Sequence, residues 1–292
     1  MSATVPAQGE RTASGTASGA LARNVTFPRV VASEWVKLWT LRSTWWTLGS
    51  TVVLMVGFAL LFTVAINAAP PDPEAQEGMR QGMAAGGVTG PTIVSLGYGM
   101  AQLVVAVLGA LVITGEFSTG MIRSTYAAVP GRLSALWAKL VVLVGVTAVV
   151  SALGVTLAYL AVRPLLDDIG FPVDLGDPDH LRSLGGAVLY LVTVAAFSLA
   201  VGALLRHTAG SIGLLVAVFF VLPIIFQIIV GASGADWAVD VNAYLPSVAG
   251  EQVMAVQTME GLLEPWTGYS VLAGYTVALL VAAAVTTTRR DA

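Results

Sequence analysis

Six stretches of this sequence contain no Asp, Glu, Lys or Arg: residues 43–71, 81–115, 140–162, 183–205, 207–235 and 265–288, the shortest of them 23 residues long. No other uncharged stretch exceeds 11 residues. A helix rises about 1.5 Å per residue, so about 20 apolar residues cross the roughly 30 Å of hydrocarbon in a bilayer. All six clear that length. Buried elements of a soluble core seldom run beyond about 15 residues without a charge, and a transmembrane barrel alternates apolar with polar positions, which Leu103–Val107 and Leu214–Leu222 do not. The composition agrees, at 56% hydrophobic and 11% charged, against roughly 25% charged in soluble domains. The expected fold is an all-α integral membrane protein with spans near 46–68, 93–115, 136–161, 185–205, 211–231 and 269–288.

An even number of spans puts both termini on one side, and the basic residues choose it. The N-terminal arm, the second and fourth connections and the C-terminal tail hold 11 of the 14 Lys and Arg and 4 of the 17 acids, a sum of +7. The opposite side holds Arg80, Arg163 and Arg182 among the other 13 acids, a sum of −10. The positive-inside rule then predicts cytoplasmic termini. Trp35, Trp39, Trp45, Trp46 and Trp137 fall at the inner ends of the spans and Trp237 and Trp266 at the outer ends, as two aromatic belts require.

Residues 1–28, rich in Ala, Ser, Thr and Gly, lack the apolar core of a signal peptide and predict a disordered cytoplasmic tail; residues 29–292 form the transmembrane domain. From Arg29 a moderately amphipathic pattern gathers Val31, Trp35, Leu38, Trp39 and Trp45 on one face, away from Ser33 and Lys37, with Arg42 intruding. Such a helix lies in the inner interface with its basic side chains reaching phosphates.

The first outer loop, 69–92, opens on Pro70, Pro71 and Pro73 and closes on Gly90 and Pro91, which leaves little room for a folded domain. The third, 162–184, carries Asp167, Asp168, Asp174, Asp177 and Asp179 beside His180; it lacks the ligand alternation of a calcium loop and predicts a solvated acidic turn. In the fifth, 232–268, Ser247 is a candidate N-cap for a helix carrying Val253, Val256, Met259 and Leu263 at spacings of three or four. Pro223 falls mid-span and predicts a kink, a candidate hinge or gate. Small residues spaced by four, Ala106 with Ala110, Ala148 with Ala152 and Ser198 with Gly202, permit close helix contact.

Certain functions are disfavoured. With no cysteine, there is neither a thiolate nucleophile nor a Cys-ligated metal. No HExxH, GxSxG or histidine cluster supplies catalysis, and neither Lys37 nor Lys139, the only lysines, ends a GxxxxGK[ST] nucleotide loop. The six span cores contain no ionisable Asp, Glu, Lys or Arg, which argues against a proton-coupled carrier. The chain therefore reads as a non-enzyme that binds no cofactor, no metal and no nucleic acid.

Between spans two and three runs GEFSTGMIRSTYAAVPGRLSALWAK, Gly115 to Lys139. It reads as a short helix projecting from the membrane, started by Glu116 and ended near Pro130. This segment resembles the membrane subunits of type-2 ABC transporters. In that family an acid and an aromatic precede Gly-Thr-Ile-Arg, followed by Pro, a basic residue and Ala-Lys or Gly-Lys. Glu116, Phe117, Gly120, Ile122, Arg123, Pro130, Arg132, Ala138 and Lys139 match; Met121 replaces the usual Thr. The arm EWVKLWTLRSTWW, Glu34–Trp46, is similar to the family's amphipathic arm, with Trp35, Lys37, Trp39 and Arg42 at the interface, and the long fifth loop resembles its outer helical hairpin.

The resemblance implies an exporter permease in a bacterial plasma membrane. Its loop 116–135 would dock on a separate cytoplasmic ATPase that binds ATP and Mg, with Glu116, Phe117, Gly120, Arg123 and Arg132 transmitting nucleotide-driven closure. It also implies a second permease subunit, identical or not, across the substrate path. The competing expectation is a carrier or channel that needs no ATPase.

Overall fold

The computed structural model describes residues 26–68, 72–128 and 131–289. The tail up to residue 25, Pro70, Pro71, Pro130 and Arg290 lie outside the described residues. The described chain is all-helical, and six helical stretches are long and apolar enough to cross a membrane: Arg42–Asn67, Gly90–Ser118, Arg132–Asp168, Pro178–Leu205, Thr208–Ser233 and Pro265–Arg289. Each contains most or all of one expected span and overruns it. Hydropathy marks where charge stops, whereas the backbone continues its hydrogen-bonded helix into the interface until a cap ends it.

Helix α1, Phe27–Thr40, meets α2, Arg42–Asn67, at an elbow formed by the extended Leu41. Two short helices follow, with no folded domain among the described residues: α3, Pro73–Ala85, and α4, Gly90–Ser95. Proline at the first helical position costs nothing, because that N–H has no intrahelical partner. Asp72 caps α3 by accepting from the Glu74 amide, and Thr89 with Thr92 forms a capping box on α4. The second span is thus α4 joined to α5, Tyr98–Ser118, through a tight turn at Leu96 and Gly97.

Short α6, Met121–Ala128, leads to α7, Arg132–Asp168, whose 37 residues reach about 55 Å. The expected acidic loop at 162–184 therefore shrinks, since α7 continues through Pro164 to Asp168 and α8, Pro178–Leu205, starts early. Two of its carboxylates serve the backbone, Asp174 accepting from the Gly176 amide and Asp177 capping α8 through the Asp179 amide, while Asp179 pairs with Arg182. His180 Nδ1 accepts from the Asp174 amide. His207 likewise caps α9, Thr208–Val216, after a left-handed Arg206 closes α8.

The fifth span is α9, one wide turn at Ala217–Val221, and α10, Leu222–Ser233. This wide turn lies just ahead of Pro223, where the sequence predicts a kink. Proline offers no N–H to Phe219, and the turn before it relaxes from four-residue to five-residue bonding, with the Leu222 amide donating to Ala217. Beyond it come α11, Asp236–Ala243, and α12, Pro246–Glu251, joined by Tyr244 and Leu245, and a single 3-10 turn covers Gln252–Met254. The helix expected around Val253–Leu263 is absent: Ser247 lies inside α12 rather than capping it, and residues 255–264 form no helix. The spacing there reflects burial of single side chains, Val253 above all. Helix α13, Pro265–Arg289, completes the chain.

Helix α8 is the axis: 72% of its apolar window is buried, against 17% for the α9–α10 span. Small residues let its neighbours approach. A side chain at Gly109 would stand 2.7 Å from the Ala195 carbonyl, and one at Gly202 would stand 3.1 Å from that of Ala110. Ala110, Ser198 and Gly202 thus lie in the α5–α8 contact, and Ala106 is buried one turn away on α5. Ala148 and Ala152 do not play this part, being partly or fully exposed; α7 instead turns Thr147, Ser151 and Gly154 inward, and Met55 of α2 fills the space beside Gly154.

Candidate functional site

The chain's only two lysines end up together. Lys139 Nζ lies 2.6 Å from Glu34 Oε2 and 2.5 Å from Glu116 Oε1. Lys37 Nζ lies 2.7 Å from Glu34 Oε1 and 3.0 Å from the same Glu116 oxygen. Two carboxylates and two ammoniums therefore alternate in a closed ring, and the Thr125 hydroxyl of α6 donates to the remaining Glu116 oxygen at 3.3 Å. Four elements meet here: α1 gives Glu34 and Lys37, α5 gives Glu116, α6 gives Thr125 and α7 gives Lys139.

Burial is what makes the ring consequential. The side chains of Lys139, Glu34 and Glu116 are 2%, 5% and 9% exposed, while Lys37 keeps 35%. Charges taken out of water lose several kcal/mol of solvation, on the order of the attraction they regain, and the exchange closes only when every charge is met. Here the ring is neutral and each ammonium faces two carboxylates. Burial alone would lower the pKa of Lys37, yet the bonds to Glu34 and Glu116 outweigh it and hold that pKa above its ordinary value. The sign follows: Lys37 contributes stability at every pH below about 10.5 and loses it only as pH rises past its raised value.

The local sequence explains why these groups converge. On α1 the inward face is Val30, Glu34 and Leu38, at helical spacing of four, so an acid sits on the stripe that docks against α7. Trp35 is exposed at 47% and Trp39 is wedged between Trp35 and Trp45, with ring centroids 5.3 and 4.6 Å away. Arg42 is exposed at the start of α2. The aromatic side thus faces outward, as an interfacial helix requires, while the opposite face is pinned by ion pairs.

Glu116 corrects the expectation that an acid starts the projecting helix. It lies in the last turn of α5, buried, at the helix end where the dipole disfavours a negative charge; the two ammoniums offset this. Gly120, with φ of +73°, then adopts the left-handed conformation that lets the chain turn into α6. Ile122 anchors α6 inward, while Met121 and Arg123 are exposed. Phe117 is partly buried beneath the Arg206 guanidinium, 5.1 Å from its ring centroid, and Arg132 opens α7 partly covered. The coupling candidates therefore split in two: Glu116 and Phe117 hold the helices together, and Arg123 faces away from them.

A cavity of about 320 Å³ adjoins the ring, lined by Leu38, Leu41 and Thr44 from the elbow, by Leu108 and Val112 from α5 and by Val142 from α7. Arg206 also reaches the Thr286 carbonyl near the end of α13. The elbow, the α5–α7 connection, the Arg206 turn and the end of α13 thus gather at one end of the bundle, the end to which the sequence had assigned its positive charge. Pro223 lies away from this cluster, buried in the fifth span.

Sequence reasoning did not single out Glu34 or Lys139 as site residues. Each carried a signal: Lys139 is the charge that opens the apolar run 140–162, and Glu34 is spaced to pair with Lys37. Among the described residues no group of three or more His, Asp or Glu could hold a metal ion.

The architecture and this cluster define a class, a helical multi-pass membrane protein with an ion-paired junction between an amphipathic N-terminal helix and two of its spans. No protein-family model and no curated protein matches the sequence.

Proposed function

We propose that the chain is the transmembrane permease subunit of an ABC exporter of the bacterial plasma membrane, with cytoplasmic termini and coupling through residues 116–135 to a separate ATPase that binds ATP and Mg. The observation carrying this reading is the ring at Glu34, Lys37, Glu116 and Lys139. An ATPase moves a permease only if force on a cytoplasmic element reaches the spans. Helix α6 is tied by Thr125 to Glu116 at the end of span two, and Glu116 is tied through Lys139 to the start of span three and through Lys37 to the amphipathic arm. A push on α6 is then borne by two spans and α1 together.

Exposed Arg123 is the contact offered to the ATPase. A second permease copy would pair along a weakly buried face such as the α9–α10 span, with the substrate passing between the halves. Co-expression with the ATPase encoded beside the gene tests this reading. The two are expected to co-purify in detergent, and Arg123→Glu is expected to abolish association while the permease inserts normally. Failure of the unaltered chain to bind that ATPase overturns the assignment.

A further inference from the structure

The cavity of about 320 Å³ beside the ring has a polar end and an apolar end. Thr40 and Ser43 of the elbow, Thr119 at the close of α5 and the ring itself line the first. Leu108, Leu111 and Val112 of α5 and Val142 of α7 line the second. Along α5 the lining runs from Thr119 back to Leu108, which at 1.5 Å per residue is about 16 Å. Polarity thus falls along the direction of a span, from the end of the bundle toward the hydrocarbon. A ligand that matches this lining is itself amphipathic, polar at one end and an apolar chain at the other.

The polar end has groups that the protein leaves unanswered. Thr44 is 2% exposed and lines the cavity, yet its hydroxyl makes no hydrogen bond among the described residues. The hydroxyls of Thr40, Thr47 and Thr119 beside it each donate to a carbonyl of their own helix. A buried hydroxyl without a partner costs free energy until an acceptor meets it. Helix α2, 26 residues long, also begins here on Leu41, with no side chain capping it, so its first amides and its dipole favour an anion. Arg42, between the lining residues Leu41 and Ser43, is exposed and makes no ion pair among the described residues. The ring adds no net charge, because its two ammoniums and two carboxylates cancel. Hydroxyl, helix start and guanidinium therefore all call for a negative group rich in acceptor oxygens.

We infer that the cavity seats one acyl chain of an anionic phospholipid from the adjoining leaflet, with its phosphate at Arg42 and the start of α2 and an ester oxygen accepting from Thr44. A soluble anion would leave Leu108, Leu111 and Val112 without a partner, whereas a chain with six membrane-spanning helices is bathed in lipid. The volume, near the low end of the roughly 300–1,000 Å³ of small-molecule pockets, takes part of one acyl chain and leaves the other in the bilayer. Bound there, the lipid fills the gap between the elbow, α5 and α7. The inference is independent of any ATPase and of which side of the membrane this end faces.

Photolabelling tests it on the full chain, purified in detergent and stripped of native lipid, with phosphatidylglycerol or phosphatidylcholine carrying a diazirine on one acyl chain. Half-maximal labelling of residues 108–112 is expected at about fivefold lower phosphatidylglycerol than phosphatidylcholine, the factor that one cation near a membrane surface supplies. Residues 277–281 of α13, where Val277 and Val281 are exposed, are expected to label equally with both. Arg42→Gln is expected to abolish the preference at 108–112. Thr44→Val, which keeps the shape and removes the donor, is expected to weaken labelling there by about 2- to 10-fold with either lipid. Inorganic phosphate at constant ionic strength, which lacks the chain, is expected not to compete. Equal labelling of 108–112 by the two lipids, a preference kept in Arg42→Gln, undiminished labelling in Thr44→Val or competition by inorganic phosphate overturns the proposal. Arg42 is exposed, so its variant decides the matter even where Thr44→Val fails to fold.

Discussion

Lys139 and Lys37 share the same two carboxylates but sit in different dielectrics, and that difference sets what each is worth. Removing the 2% exposed Lys139 strands Glu34 and Glu116 with a single ammonium in a site closed to water. Breaking one partner of a buried pair costs about 3–5 kcal/mol, so Lys139→Ala is expected to lower the thermal midpoint in detergent sharply. Lys37, 35% exposed, is backed by solvent, and Lys37→Ala is expected to cost about 1 kcal/mol or less. Equal losses in scanning fluorimetry would contradict the burial asymmetry. The same asymmetry explains what the sequence concealed. Glu116 and Lys139 abut apolar stretches, where a charge reads as the marker of a span's border, and Glu34 reads as a local partner of Lys37, whereas Lys139 and Glu34 pair across 105 residues. Only the fold brings those borders together. For Arg123 the structure adds only exposure on α6, which a basic loop between two spans already suggests.

Among the elements, the six spans were readable because exclusion of charge from hydrocarbon is a strong local constraint, whereas the connecting helices α3, α11 and α12 are held by caps and by contacts from distant chain. Pro70, Pro71 and Pro73 read as breakers, yet Pro73 begins a helix, since proline is hostile to a helix interior and harmless at its start. Small-residue pairs mark helices able to pack closely, as α5 and α8 do, but not which helices meet, and on α7 Ala148 and Ala152 lie off the packed face, since spacing shows which residues share a face but not which face is inward. The α5–α8 contact makes a quantitative expectation possible. A methyl at Gly109 must displace the backbone carbonyl of Ala195, 2.7 Å away, and overpacking of this kind costs about 1–3 kcal/mol. Gly99, in the same helix with nothing within 4 Å, offers the control: Gly99→Ala is expected to be neutral or to stabilise by up to about 1 kcal/mol. Thermal unfolding of Gly109→Ala and Gly99→Ala in detergent should therefore shift in opposite directions or differ clearly in size.

For the molecule as a whole, charge and contact describe the same polarity independently. The end that gathers the elbow, the α5–α7 connection, the Arg206 turn and the close of α13 is the one to which the sequence assigns 11 of 14 basic residues. At the opposite end Arg80 is engaged by Glu77 and Arg182 by Asp179, and Arg163 lies over the Tyr159 ring, so the few cations there are locally matched and the surplus of acid remains. Lys and Arg near span ends are retained on the cytoplasmic side during insertion, whereas acids contribute little. The cation surplus thus sets the orientation, and the acidic face follows from it. A periplasm-active reporter fused after Ala292 is expected to be inactive, and the same reporter inserted at Gly261, in the non-helical stretch before α13, is expected to be active. Activity at both positions would mean an even number of crossings between them, contradicting the single Pro265–Arg289 span. The reversed pattern would keep the bundle but turn it over, moving the Glu34–Lys139 ring to the outer face, where no ATPase could reach α6.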